Sequence, residues 1–151
     1  MSEVLFYHLE SRSLDDVLPG LIERSLGRDW RVVIRTESAD RAQAIDTLLW
    51  TWSEESFLPH AQLGDGDPNE QPVLITVEDG NPNGAYVLFL VGGATPDSWR
   101  EIGFSRVVVL FDGRDAAALS AARGAWKVVK EAGHDATYWR QSAQGKWEKQ
   151  A

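Results

Sequence analysis

Short, nearly continuous hydrophobic runs alternate with amphipathic stretches along this chain. Glu3–Leu9 is apolar-rich and predicts a first strand. From Leu14 the period changes: Leu14, Val17, Leu18, Leu21, Ile22 and Leu26 recur at helical spacing. Ser13 is placed to cap this helix, Asp15 and Asp16 fall in its first turn where negative charge suits the dipole, and Gly27 is a stop signal. Pro19 marks either a kink or the helix's true start. The β-branched run in Arg31–Arg35 predicts a second strand. A second helix follows, capped by Ser38 or Asp40, with Ala42, Ile45, Leu48, Leu49 and Trp52 on its buried side.

Residues 53–72 are rich in Pro, Gly, Asp and Asn and read as irregular. Val73–Val77, Tyr86–Val91 and Val107–Phe111 are three further strands, and the turn-rich residues 79–84 between the first two predict a hairpin. Asp115–Ala132 is a long helix stopped by Gly133, and Thr137–Gln141 adds a last strand. Strands apolar on both faces, alternating with helices at the start, imply a sheet covered on both sides. The expected fold is one three-layer α/β/α domain spanning residues 1–151. Its sheet is mostly parallel with some antiparallel pairing, Rossmann-like but without a nucleotide-binding loop.

Composition narrows the function. The chain has 151 residues, 43% of them hydrophobic, with seven Trp and no Cys. That much apolar mass excludes disorder, and the missing cysteines exclude disulfides, thiol catalysis and Cys-ligated zinc. The apolar runs are strand-sized, and Met1-Ser2-Glu3 lacks a basic leader region, so a cytoplasmic protein without signal peptide or membrane span is expected. The net charge of −8 argues against duplex DNA binding. Charge is uneven, however: residues 1–105 hold 7 Lys and Arg against 18 Asp and Glu, while residues 106–151 hold 8 against 5. A basic end on an acidic body suits an acidic partner, and equally arises from scattered solvated charge.

Candidate chemistry is sparse. No phosphate loop occurs, and Gly64-Asp65-Gly66 lacks a third glycine and a preceding strand. Asp65-Gly66-Asp67 does not complete a calcium loop. His8, His60 and His134 are scattered, and Ser56 near His60 lacks a nucleophile elbow. No cofactor, metal or catalytic residue is assigned. Two features remain. Trp50, Trp52, Phe57, Leu58 and Pro59 run from a helix end into a loop, either as a folded-back lid or as a partner surface. On the last helix Arg123, Lys127 and Lys130 share one stripe beside Trp126 and Leu119. That stripe suits an acidic peptide with an apolar anchor, or else Trp126 faces the core with solvated charges around it.

Phe6-Tyr7-His8-Leu9, Ile45-Asp46-Thr47-Leu48-Leu49-Trp50 and above all Glu55-Ser56-Phe57-Leu58-Pro59-His60 resemble the chi subunit family of bacterial DNA polymerase III. The resemblance covers nearly the whole chain. It implies a three-layer α/β/α fold without bound nucleotide and a non-catalytic accessory subunit of the clamp-loader assembly in DNA replication. Such a subunit links the psi subunit to the acidic, Pro-Phe-ending C-terminal tail of single-stranded DNA-binding protein. By position, the resemblance places the tail site at Arg123, Trp126 and Lys127, and the psi surface at Trp50, Phe57, Leu58, Pro59 and His60, a patch that also serves a helicase-like alternative partner. Leu119 stands where the family has a second basic residue, and Asp112 where an apolar one would seat the terminal Phe; Lys130 is the replacement charge. The rival readings are a direct single-stranded nucleic-acid binder and a small hydrolase using His60 with the acidic loop at 65–70.

Overall fold

The computed structural model describes residues 3–51, 60–62, 67, 71–78, 80–91 and 104–151. Among them, eight strands and three helices follow in the order β1 (Glu3–Leu9), α1 (Leu14–Gly27), β2 (Val32–Arg35), α2 (Ala39–Thr51), β3 (His60–Gln62), β4 (Val73–Thr76), β5 (Val87–Leu90), β6 (Arg106–Asp112), α3 (Ala116–Glu131), β7 (Asp135–Gln141) and β8 (Trp147–Lys149). The strands form one sheet in the order β3-β4-β2-β5-β6-β1-β7-β8. Every pairing is parallel except β7 with β8.

Alternation along the strands sorts the core onto two faces. Val32, Ile34, Val87, Phe89, Val108 and Leu110 pack with α1 and α2, through residues such as Leu18, Ile22, Ile45 and Leu49. Val4, Phe6, Val33, Leu88, Val107 and Val109 pack with Ala122 and Val129 of α3. Central strands buried on both sides have no polar face to show, which is why they read as continuous apolar runs. The three-layer α/β/α expectation therefore holds.

The helices begin where their caps dictate. Ser13 and Asp16 form a capping box at α1, and Pro19 lies buried inside that helix rather than at its start. The Ser38 hydroxyl accepts the Arg41 N–H, so Ser38 rather than Asp40 caps α2. Ala42, Ile45 and Leu49 are buried as expected and Leu48 is half-buried, while Trp52 lies outside the described residues.

Three expectations need correction. Residues 79–84 do not make a hairpin, because β2 lies between β4 and β5 and pairs with both in parallel. The connection runs back along β2 and is pinned at both of its ends. The buried Arg35 guanidinium donates to the carbonyls of Glu78 and Gly80 at one end, and the Asn83 amide donates to those of Val32 and Gln71 at the other. Within it, Asn81 closes a local turn on Ala85 with bonds of 2.6 and 2.9 Å, so Asn81 and Asn83 supply hydrogen bonds that hairpin pairing would otherwise supply. The second correction is β3, a short strand inside the stretch read as irregular, paired in parallel with Val73–Ile75. The third is β8. The antiparallel pair forms at the end of the chain, where Gly145 (φ 78°) lets Ser142 and Lys146 close a tight turn.

Candidate functional site

In a sheet of this kind the natural crevice lies between adjacent strands whose carboxyl ends lead to opposite faces. Here those strands are β1, which leads to α1, and β6, which leads to α3. The crevice is closed by the chain itself. Gly113 N–H donates to Leu9 O at 2.8 Å, and the His8 ring lies so close to Gly113 that a Cβ there would fall 1.7 Å from Nε2. Beyond β1 the three successive N–H groups of Glu10, Ser11 and Arg12 converge on the Gln141 Oε1 atom at 2.9, 3.2 and 3.1 Å. A cradle of this kind ahead of a helix N-terminus would suit a phosphate oxygen. A neutral amide from β7 fills it instead, and Asp15 and Asp16 follow it in the first turn of α1.

Around the crevice sits a polar cluster that sequence reading missed. His8 Nδ1 lies 2.6 Å from the Tyr138 hydroxyl. Its Nε2 is 3.1 Å from Glu10 Oε1 but out of line for a hydrogen bond. Burial holds the His8 pKa below its ordinary value, against an opposing pull from Glu10, and Arg140 and Arg123 lower it further. Glu10 in turn accepts from Arg140 at 2.6 Å, which keeps its carboxyl below the usual carboxylate range. Burial raises the Tyr138 hydroxyl, with Arg123 pulling it down. The signal in the sequence was a histidine inside an apolar strand; its partners on β7 are 130 residues distant and could not be read from it.

Arg123 thus faces this cluster from α3, and the sequence-assigned stripe continues along that helix. Arg123, Lys127 and Lys130 are exposed. Trp126 is half-buried, its ring edge-on to Phe6 and Tyr138 at centroid distances of 5.5 and 5.9 Å, with Lys130 Nζ 5.3 Å from its centroid. Trp126 thus packs on the core with Lys130 beside its ring. Leu119 packs against the same core. Asp112 accepts from the backbone N–H and the Nε of Arg114 at 2.9 and 3.1 Å, which lowers its pKa and partly compensates its charge.

The second sequence-assigned surface is only partly described. Trp50 is 57% exposed at the end of α2, on the opposite face of the sheet from α3. His60 opens β3, its backbone paired with Val73, and Phe57, Leu58 and Pro59 lie outside the described residues. Among the described residues no three His, Asp or Glu side chains gather in a group that could hold a metal ion, and no helix is long and apolar enough to cross a membrane.

Among the described residues, a closed crevice lies beside an exposed basic-aromatic helix in a three-layer α/β/α domain. Residues 1–137 match the family model described as DNA polymerase III chi subunit, HolC, and the chain belongs to that family of replication accessory subunits. It is also similar to the probable DNA polymerase III subunit chi of Rickettsia prowazekii (strain Madrid E), with 32% identity over 91 residues. That match covers 60% of this chain and 55% of the Rickettsia protein, so the chain spans about half the length of the curated relative it matches.

Proposed function

We propose that this chain is a non-catalytic adaptor of the DNA polymerase III clamp-loader assembly, acting in the cytoplasm as one chi-like domain over residues 1–151. In this reading α3 grips the acidic C-terminal tail of single-stranded DNA-binding protein. Arg123 and Lys127 meet its carboxylates, Trp126 and Tyr138 offer the apolar shelf for its terminal Phe, and Lys130 supplies the charge that Leu119 lacks. The observation that carries the reading is the exposed Arg123–Lys127–Lys130 stripe flanking a half-buried Trp126 on a chain of net charge −8. The psi subunit, or a helicase-like alternative, docks on Trp50, Phe57, Leu58, Pro59 and His60. That α2 and α3 lie on opposite faces of the sheet supports separate sites for the two partners.

The test is titration of a labelled peptide copying an acidic Pro-Phe tail, with a Phe-deleted control. Micromolar binding that weakens with salt and disappears without the Phe is expected. Arg123→Ala with Lys127→Ala should weaken it about tenfold, the scale of two exposed ion pairs worth under about 1 kcal/mol each. Equal affinity for both peptides, or an unaffected double variant, would remove the tail site from α3. Tight oligonucleotide binding with a steep salt dependence would instead favour direct single-strand binding.

A further inference from the structure

The polar cluster at the carboxyl ends of β1 and β7 borders the stripe on α3 through Arg123, and it holds one buried titratable ring. His8 is 6% exposed. Its imidazole is clamped between Phe111 and Tyr138, at centroid distances of 5.2 and 5.9 Å, and lies against Gly113. Among the described residues, charged or titratable groups face it from each element around it. These are Glu10 beyond β1, Asp112 on β6 (itself paired with Arg114), Tyr138 and Arg140 on β7, and Arg123 on α3. Tyr138 is also edge-on to Trp126 and within the field of Arg123, so it links the buried ring to the proposed tail site.

Neighbouring groups set where the protons of this pair sit. The Glu10 carboxylate, 3.1 Å from Nε2, favours the neutral tautomer that carries its hydrogen there. Nδ1 then holds a lone pair, and the Tyr138 hydroxyl 2.6 Å away donates to it, leaving only oxygen lone pairs for anything outside. An imidazolium carries hydrogen on both nitrogens. Its Nδ1–H donates to the Tyr138 oxygen, and the hydroxyl hydrogen is released to another acceptor. We propose that His8 is a positioning residue of the tail site, whose protonation turns the Tyr138 hydroxyl outward to donate to the peptide carboxylate held by Arg123. The switch rests on the tail reading of α3 and adds to it a proton taken up on binding. By linkage, a carboxylate at Arg123 favours the imidazolium, and the imidazolium favours the carboxylate to the same extent. Burial keeps His8 neutral in the free protein at pH 7, so the change falls in the mildly acidic range.

The acidic Pro-Phe peptide is titrated into the full chain at about pH 7.5 and about pH 5.5 at constant ionic strength, and the His8 ring is followed by NMR with and without saturating peptide. The peptide's own carboxylates titrate at about pH 4 and the arginines stay charged throughout, so neither supplies a slope in this window. Affinity should rise at least about threefold at the lower pH, and the His8 ring should titrate at a higher pH with peptide bound than without it. Tyr138→Phe, which keeps the ring but has no hydroxyl to turn, should lose most of that gain, and His8→Gln all of it. His134→Gln, at the opposite end of β7 from Arg140, should retain it. Where a variant does not fold, the ring titration of the unaltered chain decides alone. Equal affinity at both pH values, a gain undiminished in Tyr138→Phe, or a His8 titration unmoved by peptide would overturn the switch and leave the tail site standing. Absence of binding at both pH values would remove the tail site and the switch together.

Discussion

Gly113 and His8 show how much of this structure depends on single contacts. A methyl group at residue 113 would fall 1.7 and 2.0 Å from Nε2 and Cδ2 of His8. The imidazole cannot yield easily, because it is 6% exposed and bonded to Tyr138. Gly113→Ala should therefore cost about 1–3 kcal/mol, the usual scale of overpacking, measured by urea denaturation. Combining it with His8→Ala should cost less than the two changes added together, since the smaller side chain removes the clash. Strict additivity would show that the two residues do not share this space.

At the scale of elements, α3 carries the proposed tail site, and one residue caps its start. Asp115 caps it by accepting the N–H groups of Ala117 and Ala118 at 3.0 and 3.3 Å. Asp115→Ala should lower stability by about 1 kcal/mol, seen as a reduced urea midpoint, and loosen the turn that leads to Arg123. An unchanged midpoint would mean that the helix start is fixed by packing alone. Caps of this kind also explain what the sequence made legible. Ser13 with Gly27 and Asp115 with Gly133 bracket α1 and α3 by local chemistry, so those helices could be placed to within a residue or two. The connection at 79–84 could not. Asn81, Pro82, Asn83 and Gly84 carry turn chemistry in any topology, and only the long-range bonds from Arg35 and Asn83 show that the chain returns along β2. The stripe Arg123, Trp126, Lys127 and Lys130 was visible from helical period, whereas Tyr138 and Arg140 join the cluster at β1 only through parallel pairing of β1 with β7.

For the whole molecule, the cluster at the carboxyl ends of β1 and β7 couples folding to pH. His8 is held below its ordinary value of 6.5 by burial, and Glu10 below 4.5 by Arg140. The unfolded chain therefore takes up both protons before the folded one does. Their contribution is complete above about pH 6.5; it declines as pH falls through the folded His8 value, and again below 4.5 through that of Glu10. The urea midpoint should drop between pH 7 and pH 5. His8→Gln, which keeps a hydrogen-bonding group near Tyr138 but cannot titrate, should flatten that upper segment and leave the lower one. An equal slope in the variant would assign the effect to other groups.

The Gln141 amide has a consequence for how such a protein answers to its surroundings. Folds with a cradle ahead of their first helix commonly use it to read the supply of a soluble nucleotide. Here the occupant is tethered to β7, so it cannot be depleted, competed away or hydrolysed. The three N–H groups are thus satisfied from within the fold, without a soluble ligand.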